Sequence, residues 1–168
     1  MNNGIADGSE RSLDPNAIVA ERITRGIAAA IMSAVTFFGL LPVHITVSMG
    51  LHWRLLLLGG WLLFSLLLAA WAWFWPPVRY RHTSYRVDGQ GLRIKSGVIW
   101  RSVVSVPRSR VQHTDVSQGP IDRGLGLATL IVHTAGTQHA SITLHGLSRA
   151  NASAIRDYLI DTDEQDAV

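Results

Sequence analysis

The side chains that could do chemistry are few and scattered. The chain has no cysteine, which removes thiolate nucleophiles, disulfides and sulfur-ligated metals together. His133, His139 and His145 recur every six residues, with His113 upstream. A zinc site needs three or four converging ligands at tight local spacing, so these are read as solvated histidines and no metal site is assigned. The carboxylates Asp88, Asp115, Asp122 and Asp157 share no spacing that would pair an acid with a base. Gly124 to Thr129, GLGLAT, lacks the lysine of a phosphate loop, and no Gly-x-Ser-x-Gly elbow is present. These residues point away from an enzyme, and they imply no cofactor.

What remains is charge. After Pro77 the basic residues outnumber the acidic ones, and Arg93, Lys95, Arg101, Arg108, Arg110 and Arg123 are the candidate contacts for anionic phospholipid headgroups or a protein partner. Beside an anionic leaflet each such cation gains about 1 kcal/mol. Trp100, next to Arg101 at an expected hairpin tip, could add an interfacial ring. No helix-turn-helix, zinc finger or aromatic-rich RNA-binding pattern accompanies the charge, so nucleic acid is not expected as a partner.

The elements that must carry these residues begin with Leu55 to Trp75, a charge-free run ending in Trp71, Trp73, Phe74 and Trp75. About 20 such residues cross the roughly 30 Å hydrocarbon layer as a helix, and interfacial rings cluster at its end. Pro76-Pro77 is expected to force an extended exit. A weaker apolar run, 26–48, precedes it, interrupted by Pro42 and His44. His44 is expected to be a neutral histidine near the outer headgroups, and Trp53 in the turn an interface anchor like Trp71, Trp73 and Trp75. Small residues at Gly26, Ala30 and Ala34 could let the spans pack as a hairpin, with Gly59-Gly60 and Ser65 as the counterpart. Arg22, Arg25, Arg79, Arg81 and Arg86 flank the pair while only Arg54 sits in the turn, so both termini are expected to be cytoplasmic. Residues 1–25 read as a mostly disordered tail, 76–160 as a cytoplasmic domain, and 161–168 as a disordered acidic tail. Charged residues are only 16 % of the chain, below the roughly 25 % of a typical soluble domain.

From Tyr80 onward, short alternating runs broken by glycine and proline read as strands over about 80–87, 92–98, 102–106, 109–117, 125–134 and 138–145. An irregularity is expected near His113, a bend at Gly97, and a short turn through Gly119 to Gly124. Ser148 reads as an N-cap for a final helix whose apolar stripe is Ala152, Ile155 and Leu159. The fold class is therefore α+β: two transmembrane helices, then six to seven antiparallel strands in a small barrel or orthogonal sandwich capped by a C-terminal helix.

The succession GLRIKSGVIWR, SVPRSRVQHTDV, GPIDRGLGLATLIVHTAG and the helix opening LSRANA resembles the pleckstrin-homology-like (PH-like) domain of bacterial YdbS-type membrane proteins. That resemblance covers about Tyr80 to Ile160 and implies a PH-like split barrel at the cytoplasmic face of a bacterial inner membrane, with no enzyme activity. The first hairpin loop, Asp88-Gly89-Gln90-Gly91, lacks the basic residues through which eukaryotic PH domains usually bind phosphoinositides. Such binding is not expected here. The expected function is non-enzymatic presentation of the domain to a protein partner, an anionic lipid surface or another copy of the chain. The alternative is a subunit or regulator of an envelope transport or stress-response system that acts through its spans.

Overall fold

The computed structural model describes residues 5–46, 50–135 and 141–160. The expected acidic tail, 161–168, and the positions Gln138 to Ala140 lie outside them. The chain forms two compact units: one comprises 1–20 with 77–168, the other 21–76.

The second unit is a pair of antiparallel helices, taken from α1 (Asn16–Thr46) and α2 (Leu51–Arg81). Both are long and apolar enough to cross a membrane. Apolar side chains such as Val35, Phe38, Leu62 and Leu67 are exposed along them, as expected of helices solvated by lipid rather than water. Ser33 and Ser65 share a hydrogen bond at 2.8 Å, the Trp61 indole N–H donates to the Ser33 carbonyl at 3.1 Å, and Phe37 packs on Trp61.

The stripe in contact differs from the expected one. A Cβ added at Gly26, Gly59 or Gly60 would meet no atom within 4 Å, and Ala30, Ala34, Gly59 and Gly60 are exposed. Of the expected small residues Ser65 makes a hydrogen bond across the pair, to Ser33, while Gly26 and Ala30 border a groove between the helices. Four-residue spacing defines a stripe but not the stripe that faces the partner; here the aromatic pair and the hydroxyl pair settle the rotation.

Pro76-Pro77 does not end α2, which continues to Arg81. A proline removes the N–H that would bond the carbonyl four residues earlier, so Pro77 frees the carbonyl of Trp73. The guanidinium of Arg22 donates to that oxygen at 3.3 Å. At the true end, His82 bonds the Val78 carbonyl at 2.7 Å and the Thr83 hydroxyl donates to the Arg79 carbonyl at 3.0 Å, which satisfies groups that a helix terminus leaves open.

The first unit holds two antiparallel sheets. One has the order β1-β2-β3-β4, with β1 Glu10–Ser12, β2 Ser84–Asp88, β3 Gly91–Ser96 and β4 Ser102–Pro107. The other has the order β5-β6-β7, with β5 Val111–Ser117, β6 Leu127–Thr134 and β7 Ser141–Ser148. A 3-10 turn, Arg108–Arg110, joins the sheets, and a five-residue helix α3, Pro120–Gly124, precedes β6. The expected irregularity near His113 is a register shift between Val111 and His113. Helix α4, Arg149–Ile160, packs on the second sheet; Ser148 Oγ accepts from the Asn151 N–H at its start. Tyr85, Val87, Leu92, Ile94, Leu130, Val132, Leu144, Leu147, Ala152, Ile155 and Leu159 form one core. This is the α+β arrangement expected from the sequence.

Residues 5–25, expected to belong to a mostly disordered tail, form a strand and the start of α1. Glu10 to Ser12 pair antiparallel with Arg86 to Ser84, and the Gly8 N–H donates to the Val87 carbonyl. Ile5, Ala6 and Leu13 pack against the core. The Asp14 N–H donates to the Gly146 carbonyl at 2.9 Å, where Gly146 has φ +76° and an added Cβ would lie 2.7 Å from the Ala17 Cβ. The Asp14 carboxylate accepts from the Asn16 N–H and caps α1. The apolar residues of this segment are too few and too widely spaced for periodicity to show; the sheet edge and core it meets lie more than seventy residues away.

Ile155 is fully buried whereas Ile99 is 78 % exposed. Ile155→Ala is expected to cost about 2–5 kcal/mol through the cavity it leaves, and Ile99→Ala less than about 0.5 kcal/mol. Denaturant unfolding of the detergent-solubilised protein followed by circular dichroism measures the difference.

Candidate functional site

The period of two puts Arg86, Arg93 and Lys95 on the outer face of the first sheet. Arg86 lies opposite Arg93, and Lys95 opposite Ser84 and Val103. Three neighbouring cations on one face repel one another unless balanced. The balance comes from Glu10, 2.9 Å from the Lys95 ammonium, and Asp88, 3.2 Å from Arg86. Glu10 also accepts the Ser84 hydroxyl at 2.7 Å. Arg93 donates to the Ser105 hydroxyl at 3.2 Å.

Beyond this face the β3–β4 connection forms a tip. Gly97 has φ +117°, and a Cβ there would fall 1.8 Å from the Trp100 carbonyl oxygen, so the turn requires glycine at the expected bend. The tip exposes Ile99 and 88 % of Trp100, and Val103 on the adjoining strand is 59 % exposed. Arg101 is exposed beside them. The outer edge of β4 pairs with no strand among the described residues.

The six candidate cations do not converge. Arg93, Lys95 and Arg101 lie along β3 and its tip. Arg108 stacks over the Tyr158 ring at 4.4 Å, a contact internal to the fold, while Arg110 and Arg123 are exposed on the 3-10 turn and on α3. Among the expected membrane anchors, Trp73 lies under the Arg22 guanidinium at 4.3 Å and Trp71 under that of Arg25 at 4.5 Å. Trp53 is exposed in the first turn of α2, Trp75 is half-buried, and His44 lies half-buried in the last turn of α1.

The histidines assort differently from their spacing. His145 bonds Thr129 at 3.0 Å, His139 lies outside the described residues, and His113 stands directly opposite His133 with stacked rings 4.1 Å apart. The Asp115 carboxylate lies 3.5 Å from His133 and 3.9 Å from His113. This convergence was missed from the sequence because it depends on pairing across 20 residues. The available signal was the His-x-Asp alternation at 113–115 together with a histidine on the next strand.

Two spans joined to paired antiparallel sheets and a capping helix define an integral membrane protein with a PH-like domain. The family model described as Bacterial PH domain matches residues 27–162, and the chain belongs to that family. It is similar to the UPF0699 transmembrane protein YdbS of Bacillus subtilis (strain 168), with 38 % identity over 82 residues, or 49 % of this chain and 50 % of the relative. The chain thus spans about half the length of that curated relative. No solved structure matches it.

The carboxyl of Asp7 is held down from 3.8 to about 2, first by the hydroxyl and backbone N–H of Ser9 and then by Arg11. That of Glu10 is lowered by the Ser84 hydroxyl and by Lys95. Groups with depressed folded values stabilise the β1 segment above the ordinary carboxylate range, and that contribution is lost as pH falls through the folded values. Amide exchange over residues 8–12 is therefore expected to lose protection selectively as pH falls from 3.8 toward about 2. At neutral pH, Glu10→Gln is expected to raise exchange there and leave β6 unchanged.

Proposed function

We propose that this chain is a non-catalytic, membrane-anchored binding module whose PH-like domain docks a protein partner on the cytoplasmic side of the bacterial inner membrane. The observation that carries this reading is the β3–β4 tip, where Ile99 and Trp100 stand in solvent beside an edge of β4 that pairs with no strand among the described residues. An exposed tryptophan next to a free strand edge gives an anchor for affinity and a backbone ladder for register. Lys95 and Arg101 favour a partner segment with acidic side chains. The arginines flanking both spans support the cytoplasmic placement.

Anionic headgroups are the competing ligand for the same cations, since a tryptophan tip flanked by basic residues also suits a lipid interface. A different reading, in which the spans make the decisive contact, is supported by the groove of about 520 Å³ between α1 and α2, lined by Ala29, Ser33, Ser65 and Ala69.

A photo-crosslinking residue at Val103 in the full-length protein, in cells, distinguishes these readings. Partner docking predicts a discrete protein adduct that Trp100→Ala or Lys95→Glu reduces at least about tenfold, a loss of the size expected at an interface anchor. A crosslinker at Thr143 on the other sheet should give no such adduct. Adducts to lipid alone would overturn the protein reading in favour of the headgroup reading. Full function after Trp100→Ala, with loss only on replacing the spans, would favour the second.

A further inference from the structure

From the outer face of the second sheet we infer a binding site for a divalent transition-metal ion of the zinc class, formed by His113, Asp115 and His133. The strand period of two places His113 and Asp115 on one face, and the antiparallel register sets His133 directly across from His113. The register shift between Val111 and His113 is the device by which a strand re-aims a side chain beside a site. One donor atom from each residue lies within 4.8 Å of the other two. The carboxylate oxygen is 3.5 Å from His133 Nε2 and 3.9 Å from His113 Nε2.

The donor set decides the ion. Two imidazoles and one carboxylate suit zinc and its first-row neighbours. Calcium and magnesium take oxygen donors, and one carboxylate is too few. With about 2.1 Å from metal to each donor, neighbouring ligand atoms sit roughly 3.0–3.4 Å apart, so separations that now reach as far as 4.8 Å must close by up to about 1.4–1.8 Å through side-chain rotation. The nearly parallel rings, 14° between planes, must also turn so that their lone pairs converge. Both movements are cheap because His113 and Asp115 are exposed. Three protein ligands leave at least one coordination position for water or for an anionic group of another molecule. The site lies on the other sheet from the proposed docking tip and does not depend on that function.

The test uses the full-length protein, free of any histidine tag, in detergent, with Zn²⁺ titrated against a chromophoric chelator. With no cysteine in the chain, thiolates cannot compete. One zinc per chain is expected. His113→Ala, Asp115→Asn and His133→Ala should each weaken binding by more than about tenfold, since even partners that merely orient ligands are worth that much. His145→Ala should leave binding unchanged. X-ray absorption of the zinc-loaded protein should show two imidazole nitrogens with oxygen completing the shell. All substitutions lie on a surface face, and their melting temperatures without metal check that the fold is kept. Absence of stoichiometric binding, or binding that persists in the His113→Ala/His133→Ala double variant, would overturn the proposal.

Discussion

The antiparallel pairing of Glu10–Ser12 with Ser84–Arg86 is the interaction on which the architecture depends. It joins residues on opposite sides of the membrane hairpin in sequence and makes the hairpin an insertion in the chain of one folded domain rather than an anchor placed ahead of it. The backbone bonds from Gly8 to Val87 and from Asp14 to Gly146, with the Tyr80 hydroxyl on the Leu13 carbonyl at 2.9 Å, hold the same closure. A ladder this short is weak by itself. It persists because Ile5, Ala6 and Leu13 pack against the core beneath it.

A domain closed in this way constrains the spans. Both helix ends adjoining it must emerge on one side of the bilayer, which requires an even number of crossings. The polar chemistry at those ends serves the same requirement. Arg22 and Arg25 on α1 lie over Trp73 and Trp71 on α2, and Arg22 also takes up the carbonyl freed by Pro77. A guanidinium that satisfies a ring face and a backbone oxygen keeps its donors engaged beside an apolar helix pair. The helix can then continue to Arg81 through two prolines.

The sequence made the repeating parts legible. Two apolar runs of spanning length, strands with a dry and a wet face, and a capped helix with a three-residue stripe each carry local periodicity, and each kind of element appears in its expected order, though α1 begins at Asn16 rather than near 26 and α2 ends at Arg81 rather than near 75. What local pattern cannot show is pairing across distance. Three residues of β1 have no period to detect, and its partner is reached only after two spans. Of the stripe Gly26, Ala30 and Ala34, the first two border the groove between α1 and α2, but the close contacts are made by Ser33 and Phe37 with Ser65 and Trp61. Prolines read as a stop because their compensating donor is on another helix. Among the candidate contacts, charge was legible but grouping was not: Arg93, Lys95 and Arg101 fall together only through the β3–β4 hairpin, and Arg108 turns inward onto Tyr158. His113 and His133 meet only through the register of β5 and β6.

The closure is tested most directly by topology mapping with single cysteines, which the natural chain lacks. Cysteine is introduced separately at Ser9 beside β1, at Ser109 between the sheets and at Gly50 between the spans, and intact cells are treated with a membrane-impermeant maleimide. The account predicts that Gly50→Cys reacts from outside, while Ser9→Cys and Ser109→Cys react only after the membrane is permeabilised. Ser9 and Ser109 on opposite sides would contradict it, because residues 10–12 and 84–86 could not then share a sheet.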